Sequence, residues 1–264
     1  MDLKDKRIML TGASGGIGQA LAHALAAKGA KLYLVGRHEQ ALLTLQSQLP
    51  EPNHHNILLA DLCDEQDRNA LAECFPAPTR LDILINNAGT STFSLFEHQR
   101  HEDIQHHIAL NVEGPMLLTQ SMLNSMSSPG IIMNIGSAMG GIGYPGYSVY
   151  CATKFALHGF SEALHRELSP QGINVLYLAP RATDTPLNSP AVNAMNKELG
   201  NKSDRPEWVA AQIVTALEKE AVRRWLGWPE KFFVKLNALL PSLVDGAIIR
   251  QLPIIRRYAR GKHK

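Results

Sequence analysis

The chain has 264 residues, of which 45% are hydrophobic and 19% charged, and its formal net charge at pH 7 is +2. This is the composition of a globular protein rather than a disordered chain, and the length suits one large α/β domain or two small ones. The sequence has no run of eighteen apolar residues, which excludes a transmembrane helix, and its charged N-terminus does not lead into the apolar segment of a signal peptide.

The three cysteines are Cys63, Cys74 and Cys151, an odd number without the spacing of metal ligands. This cysteine usage is typical of a reducing compartment. We therefore expect a cytoplasmic protein that holds no metal.

Short apolar runs alternate with helical patterns from residue 7 to residue 178, which predicts βαβ units. We expect an α/β fold of the doubly wound Rossmann type, a parallel sheet with ligands at the carboxyl ends of its strands. Gly29 and Gly172 stand where two helices should end. The predicted strands are 7–11, 31–35, 56–60, 81–86, 131–135 and 173–178, and the predicted helices lie near 16–28, 38–49, 64–74, 101–126 and 148–168.

The regular pattern stops between residues 180 and 205, where Pro, Asn, Ser and Gly predict a long loop. Such loops are usually functional lids or disordered segments. A helix is expected over 206–220, with Ser203 or Asp204 as its cap and Pro206 in its first turn. A short strand over 223–228 would then close the sheet.

A glycine-rich turn follows the first strand and opens the first helix, the context that a dinucleotide-binding turn requires. Glycines let the backbone approach a pyrophosphate, and the helix N-terminal amides then face its negative charge. The alternative is a tight strand–helix turn that binds nothing. The candidate cofactor-binding residues of this turn are Gly12, Ser14, Gly15, Gly16, Ile17 and Gly18.

The second strand ends at Gly36 and Arg37, where binders of the unphosphorylated cofactor usually place a carboxylate for the ribose hydroxyls. Gly36 offers no carboxylate, and the Arg37 guanidinium suits a 2′-phosphate. The sequence therefore favours NADP(H) over NAD(H). The alternative for Arg37 is a solvated charge at the start of a helix.

Tyr150 and Lys154 are four residues apart, so a helix would place them one turn apart on one face. An ammonium group beside a phenol favours the phenolate, which makes Tyr150 a candidate acid/base for an alcohol oxygen. A free tyrosine titrates near ~10, and one positive charge at ~4 Å in an effective dielectric of ~20 supplies up to ~4 kcal/mol. We therefore expect Lys154 to lower the pKa of Tyr150 by up to ~3 units.

Taken together, these motifs resemble the short-chain dehydrogenase/reductase family, in order and spacing, over about residues 5–220. The resemblance implies an oxidoreductase that moves a hydride between a nicotinamide cofactor and a carbonyl or alcohol carbon. The matching residues are the glycine turn, Asp61 and Leu62 after the third strand, Asn87, Ala88 and Gly89 after the fourth, Asn111, Ser137, Tyr150, Lys154, and Pro180, Thr183 and Thr185.

The resemblance also implies a role for each catalytic residue. Ser137 would hydrogen-bond the substrate oxygen, and Tyr150 would give or take its proton. Lys154 would bind the nicotinamide ribose and stabilise the phenolate, and Asn111 would hold a water that connects Lys154 to solvent. Asp61, Leu62, Asn87, Ala88, Gly89, Pro180, Thr183 and Thr185 would contact the cofactor.

Each of these residues also has a plainer interpretation. Ser137 could merely end a strand, Asn111 could be a buried amide bonded to backbone, and Lys154 could be a surface charge. Arg181 departs from the family, which usually has glycine after this proline. It could contact cofactor phosphates or an anionic substrate, or it could point to solvent.

Residues 229–264 extend beyond the resemblance, so we place a nucleotide-binding catalytic domain at 1–228 and an extension after it. Phe233, Leu236, Leu240, Leu243 and Ala247 would form an apolar stripe on a helix, with Pro241 separating two helices or kinking one. Residues 221–264 carry ten Lys and Arg against two acidic residues. This segment could pack on the domain or on a sister subunit, cover an apolar pocket, or touch an anionic membrane.

The sequence thus predicts an NADP(H)-dependent carbonyl reductase or alcohol dehydrogenase, with a small-molecule substrate that could be a 3-oxoacyl, steroid-like or other lipid-like ketone. The alternative is a noncatalytic NADP(H)-binding regulator or scaffold on the same fold. A homodimer or homotetramer is expected. Nucleic-acid binding is not, because no recognised module accompanies the basic end.

Overall fold

The computed structural model describes residues 1–260, and the charged residues Lys262 and Lys264 of the basic end lie outside them. Seven strands form one parallel sheet in the order β3-β2-β1-β4-β5-β6-β7. The strands are β1 (Arg7–Thr11), β2 (Lys31–Gly36), β3 (Asn56–Leu59), β4 (Leu81–Asn86), β5 (Met126–Ile135), β6 (Ile173–Ala179) and β7 (Arg223–Trp225).

Ten α-helices accompany the sheet within the described residues. They are α1 (Gly16–Ala26), α2 (Glu39–Gln48), α3 (Glu65–Glu73), α4 (His101–Ile108), α5 (Gly114–Met122), α6 (Ser148–Leu168), α7 (Pro190–Glu198), α8 (Pro206–Glu218), α9 (Glu230–Leu239) and α10 (Pro241–Ala259).

The sheet carries an apolar core on each face because alternate strand residues point in opposite directions. Ile8 and Leu10 of β1 pack with residues of α1, α2 and α8, whereas Met9 packs with residues of α3, α5 and α6. Both faces are therefore covered, which confirms the predicted doubly wound Rossmann-type fold as a single domain with C-terminal helices.

The predicted helix over 101–126 is interrupted. A π-helical turn at Ala109–Glu113 separates α4 from α5, and β5 begins at Met126 rather than at residue 131. Apolar periodicity alone does not report such a turn, because one extra residue hardly disturbs the pattern over a short window.

The segment between 180 and 205 is not irregular throughout, because α7 occupies residues 190–198. Ser189 accepts a hydrogen bond from the amide of Val192, and Pro190 takes the first helical position. The predicted cap of α8 is also wrong: Arg205 takes the cap position without a side-chain cap bond, and Asp204 bonds elsewhere.

The C-terminal residues form two helices separated at Pro241, one of the two outcomes that the sequence allowed. Their buried residues are Val234, Val244 and Ile255. The predicted stripe is therefore not the buried face: Leu236 is half-buried, and the other four residues, Phe233, Leu240, Leu243 and Ala247, are exposed. Within residues 1–260, every helix is too short or too polar to cross a membrane.

Candidate active site

The candidate site lies at the carboxyl ends of β1, β4, β5 and β6, where the chain leaves the sheet toward its helices. A cavity of about 340 Å³ opens there. Ser137 and Tyr150 line it together with Ile17, Pro180, Thr183 and Thr185, all of them predicted catalytic or cofactor-binding residues. The fold therefore gathers residues more than a hundred positions apart at one edge of the sheet, where Rossmann-type folds bind ligands.

The glycine turn after β1 requires two of its glycines. Gly12 has φ of +62°, and a Cβ on it would lie 2.8 Å from the Cα of Ala88. A Cβ on Gly18 would collide with the carbonyl oxygen of Gly12. Neither position tolerates a side chain, because the left-handed φ or the close backbone contact excludes one.

The N-terminus of α1 is left open toward this turn. Gly15 takes its cap position without a side-chain cap bond, and the first turn of the helix contains no acidic residue. Free amides at a helix N-terminus attract anions. The bare turn and the open N-terminus fit the pyrophosphate of a dinucleotide cofactor.

Neighbouring candidate residues are hydrogen-bonded to the glycine turn and to the end of β1. The Thr11 hydroxyl accepts hydrogen bonds from the amides of Asn87 and Ala88 at 2.9 and 3.0 Å. The Asn87 side chain donates to the carbonyls of Thr11 and Gly12 at 3.0 and 3.2 Å. Asn87 and Ala88 are thus tied to the turn, and Thr185 packs against Gly16 on its outer side.

The residues predicted to contact the adenosine part lie at the ends of β2 and β3. Arg37 is half exposed, and its guanidinium lies 3.8 Å from the carboxylate of Asp61. Leu62, in contrast, is buried in the core. Its carbonyl accepts a hydrogen bond from Arg68 at 2.7 Å. The structure therefore brings Arg37 and Asp61 together and points the Leu62 side chain into the core.

Asn111 lies in the π-helical turn and is buried. Its amide oxygen accepts from the Thr90 amide at 2.8 Å, and its amide nitrogen donates to the Thr90 carbonyl at 2.8 Å and the Thr153 hydroxyl at 3.1 Å. Gly89 lies beside it, where a Cβ would be 3.1 Å from the Asn111 oxygen and 3.7 Å from the Lys154 ammonium. Asn111 thus joins the chain after β4 to α6.

Ser137 and Tyr150 form the polar end of the cavity. Ser137 follows β5, and its hydroxyl accepts from the Met139 amide at 3.2 Å. The Ser137 hydroxyl also acts to lower the pKa of Tyr150, because a hydrogen-bond donor beside a phenol favours the phenolate. Tyr147 packs edge-on against Tyr150, with ring centroids 6.0 Å apart, and extends the aromatic wall of the cavity.

Lys154 is a buried side chain rather than a surface charge, since only 5% of it is exposed. Its ammonium donates to the Ile135 carbonyl at 3.1 Å and lies 5.7 Å from the centre of the Tyr150 ring. Burial lowers the pKa of Lys154 to about 8, because a desolvated ammonium is costly.

The expected lowering of the Tyr150 pKa is wrong for the protein alone. Burial raises the pKa of Tyr150 to about 12 and outweighs the opposing hydrogen bond from Ser137. The charge of Lys154 favours the phenolate, but the desolvation of the phenolate, which the sequence does not reveal, disfavours it more strongly. The geometry of the pair was predicted correctly, but the balance of its electrostatics was not.

Arg181 does not point to solvent, which was one of its three predicted placements. Its guanidinium donates to both carboxylate oxygens of Asp204, at 2.7 and 2.9 Å, and only 13% of the side chain is exposed. A further nitrogen donates to the Trp228 carbonyl at 2.9 Å. Protein acceptors therefore hold this arginine at the cavity wall, and its contact with cofactor or substrate stays a prediction.

A buried polar network behind the site escaped the sequence analysis. The Asn86 amide donates to Asn134 at 2.8 Å and to Thr119 at 3.1 Å, and Asn134 donates to Ser161 at 2.8 Å. These bonds join β4, β5 and α6 beneath the catalytic residues. Polar residues within apolar strand runs were the available signal, because buried amides need partners.

The far wall of the cavity was also not predicted in detail. It is formed by residues of α7, α9 and α10, namely Val192, Met195, Phe233, Val244, Ala247, Ile248 and Gln251. The C-terminal helices thus pack on the domain and cover a pocket, two of the outcomes that the sequence left open. Among residues 1–260, no three His, Cys, Asp or Glu side chains are grouped to hold a metal ion.

Comparison with known proteins gives a consistent picture. The model of the family described as short chain dehydrogenase matches residues 6–196. "Uncharacterized oxidoreductase YxnA" of Bacillus subtilis is 35% identical over 253 residues, 92% of this chain and 71% of that protein. The 3-oxoacyl-[acyl-carrier-protein] reductase FabG of Rickettsia conorii is 33% identical over 183 residues, 68% of this chain and 73% of that protein.

A solved structure agrees with these sequence relationships. A short chain dehydrogenase from Burkholderia cenocepacia, crystallised in complex with NADP, is 28% identical and has a TM-score of 0.76. The match covers 86% of this chain and 97% of that protein.

Proposed function

This chain belongs to the short-chain dehydrogenase family of oxidoreductases, and on that premise we propose that it transfers a hydride between NADP(H) and a ketone or secondary alcohol. The observation that carries the proposal is the placement of Ser137 and Tyr150 at one end of a largely apolar cavity, with buried Lys154 behind them. A phenol, a hydroxyl and an ammonium around one oxygen position are what proton transfer to a carbonyl requires.

A bound nicotinamide cofactor would supply the hydride, held by the glycine turn at one end and by Pro180, Thr183 and Thr185 at the other. Ser137 orients the substrate oxygen by donating a hydrogen bond to it. Tyr150 donates its proton to that oxygen during reduction and accepts it during oxidation. At neutral pH its raised pKa keeps the phenol protonated, which suits the reductive direction.

Lys154 and Asn111 support this proton transfer. The Lys154 ammonium stabilises the tyrosinate left after the proton has moved, since an opposite charge nearby favours the ionised form. Lys154 would also hold the nicotinamide ribose of a bound cofactor. Asn111 fixes the chain around Gly89 and holds the water through which Lys154 exchanges protons with solvent.

The lining of the cavity supports an apolar, lipid-like substrate. Beyond Tyr150 the walls are formed mainly by aromatic and aliphatic side chains, including Tyr147, Met195 and Phe233. Such walls bind hydrocarbon by burying it from water. The relative that reduces a 3-oxoacyl group is consistent with a ketone on an acyl chain.

The direct test is a panel of ketones and secondary alcohols, incubated with reduced or oxidised cofactor and followed by absorbance of the reduced nicotinamide. We expect turnover of apolar ketones with NADPH and slower turnover of small polar ones. Tight NADPH binding without turnover of any carbonyl or alcohol would instead support a noncatalytic regulator.

The preference for NADP(H) rests on Gly36 and Arg37. A Cβ on Gly36 would make only ordinary contacts, 3.5 Å from Leu42 and from Ser14, so an aspartate fits there. In the double variant Gly36→Asp/Arg37→Ala, a carboxylate replaces the cationic partner of the 2′-phosphate. We expect the ratio of kcat/KM with NADPH to kcat/KM with NADH to fall by about 100-fold in this variant. This is roughly the effect of losing two charge-assisted hydrogen bonds to the 2′-phosphate. An unchanged ratio would contradict the cofactor assignment.

A further inference from the structure

The ion pairs of Arg181 form a compact, mostly buried cluster at the wall of the cavity, which Arg181 and Glu230 help to line while Asp204 lies behind them. Besides the two bonds to Asp204, the guanidinium lies 3.4 Å from the Glu230 carboxylate. The exposed fractions of the Arg181, Asp204 and Glu230 side chains are 13%, 11% and 28%. A two-pronged arginine–carboxylate bond shielded in this way is among the stronger polar interactions in proteins.

This cluster joins three segments that are distant in sequence. Arg181 follows β6, at the start of the loop that carries Thr183. The Asp204 backbone is paired with that loop, since its amide donates to Ala182 at 2.8 Å and its carbonyl accepts from Asp184 at 2.9 Å. Glu230 begins α9. One guanidinium therefore connects the cofactor side of the cavity to the C-terminal helices.

The segment that leads into α9 runs in close contact with the Arg181 side chain. Gly227 has φ of +82°, and a Cβ on it would lie 2.5 Å from Cδ of Arg181. The carbonyl of the next residue, Trp228, accepts a hydrogen bond from the Arg181 guanidinium. The approach of this segment therefore depends on both the glycine and the arginine.

Helices α9 and α10 have few other strong attachments. Asn237 donates to the Gly141 carbonyl at 3.0 Å, and the Tyr144 hydroxyl bonds Gln251 at 3.2 Å. Glu198 pairs with Arg257 and also accepts a hydrogen bond from the Tyr258 hydroxyl at 2.8 Å, but both contacts are exposed, and the ion pair is therefore weak. Much of the apolar surface of these helices remains in water, as Leu239 at 79% exposed illustrates. Segments with so little burial open easily.

We propose that Arg181, Asp204 and Glu230 form a latch that holds α9 and α10 over the cavity and so determines how well an extended substrate binds. Arg181 is in this sense a positioning residue, which acts through the helices. A long carbonyl compound would reach the wall formed by α10, whereas a short one would contact only the Tyr150 end. The substrate part rests on the function proposed above, but the structural part does not.

The test compares Asp204→Asn, which removes the carboxylate charge, with Arg166→Gln, a matched control that breaks an exposed ion pair of α6 with Glu162. In hydrogen exchange, we expect Asp204→Asn to reduce the protection of amides in 230–252 by about tenfold or more, the equilibrium effect of a charge-assisted hydrogen bond. We expect KM for a long-chain methyl ketone to rise by about tenfold, while kcat with butanone stays within about twofold. The control should change neither.

Two further variants keep the proposal falsifiable. Arg181→Lys retains the charge but not the two-pronged fork, so its loss of protection should be intermediate. Glu230→Gln replaces Asp204→Asn if the latter does not fold. Folded variants whose 230–252 amides exchange as in the wild type would overturn the latch. If the wild type reduces no ketone, the proposed function fails, and the exchange experiment still decides whether the latch exists.

Discussion

At the scale of single residues, the candidate site depends on the charged ammonium of Lys154, whose burial lowers the stability of the fold. Lys154 is buried between the end of β5 and the Tyr150 ring, with the Ile135 carbonyl as its hydrogen-bond partner. The ordinary lysine pKa of 10.5 falls to about 8 there. The ammonium is therefore retained at neutral pH at the expense of stability, as is common where function requires a buried charge.

Replacing Lys154 by Met should therefore stabilise the protein. The folded pKa lies below the unfolded one, so between about pH 8 and 10.5 the unfolded chain binds more protons and stability rises with pH. Below pH 8 the full penalty applies, up to roughly 3 kcal/mol for this difference in pKa. The hydrogen bond to Ile135 offsets part of this penalty. We therefore expect Lys154→Met to raise the free energy of unfolding by about 1 kcal/mol at pH 7. The variant should also lack the increase in stability that the wild type shows above pH 8.

Urea denaturation at pH 7 and pH 9.5 measures both effects. Exposed Lys219 provides the control, since Lys219→Met should change the free energy of unfolding by less than about 0.5 kcal/mol. A Lys154→Met protein that is less stable than the wild type at both pH values would show that the buried ammonium contributes to folding rather than opposing it.

At the scale of elements, the glycine turn and α1 form the best-specified part of the molecule. Its glycines and its position between strand and helix could be predicted from the sequence, because left-handed φ and close backbone contacts leave a residue-type signal. The π-helical turn around Asn111 and the helix α7 could not. The π-helical turn lacks a residue-type signal. The helix α7 lies among Pro and Asn residues, which usually indicate a loop.

Gly18→Ala tests the packing of this turn. The added Cβ would collide with the Gly12 carbonyl, so the turn must shift. We expect a loss of about 2 kcal/mol in unfolding free energy, comparable to overpacking, and weaker NADPH binding. Gly159→Ala is the matched control: it lies exposed in α6 with no heavy atom within 4 Å of the new Cβ. Gly159→Ala should raise the free energy of unfolding by roughly 0.5–1 kcal/mol. Equal stability of the two variants would contradict the packing argument.

At the scale of the whole molecule, the C-terminal helices α9 and α10 lie beyond residues 6–196, the part of the chain that the family model matches. The sequence indicated an apolar stripe on two helices or on one kinked helix, but it could not tell which face the domain covers. The structure buries Val234 and Val244 and leaves Leu240 and Leu243 exposed. Their burial depends on contacts with distant segments such as α7, which periodicity does not encode.

Several features of the assembled protein stay predictions. The boundary between a catalytic domain at 1–228 and an extension after it is one of them. The exposed Leu240 and Leu243 lie next to the basic residues of α10. They are candidates for contact with a sister subunit in a dimer or tetramer, or with an anionic membrane surface. Sedimentation of the full chain alone and with anionic vesicles separates these two outcomes.

The role of Tyr150 is the central claim, because it connects the fold, the buried lysine and the proposed reaction. Tyr150→Phe keeps the ring and its contact with Tyr147 but removes the proton donor. The measurement is turnover of a reactive ketone with NADPH, beside NADPH affinity by fluorescence titration. We expect affinity within about threefold of the wild type and a loss of at least 10³ in kcat, a magnitude typical of general acid catalysis. A Tyr150→Phe enzyme that binds NADPH and turns over near the wild-type rate would contradict the account.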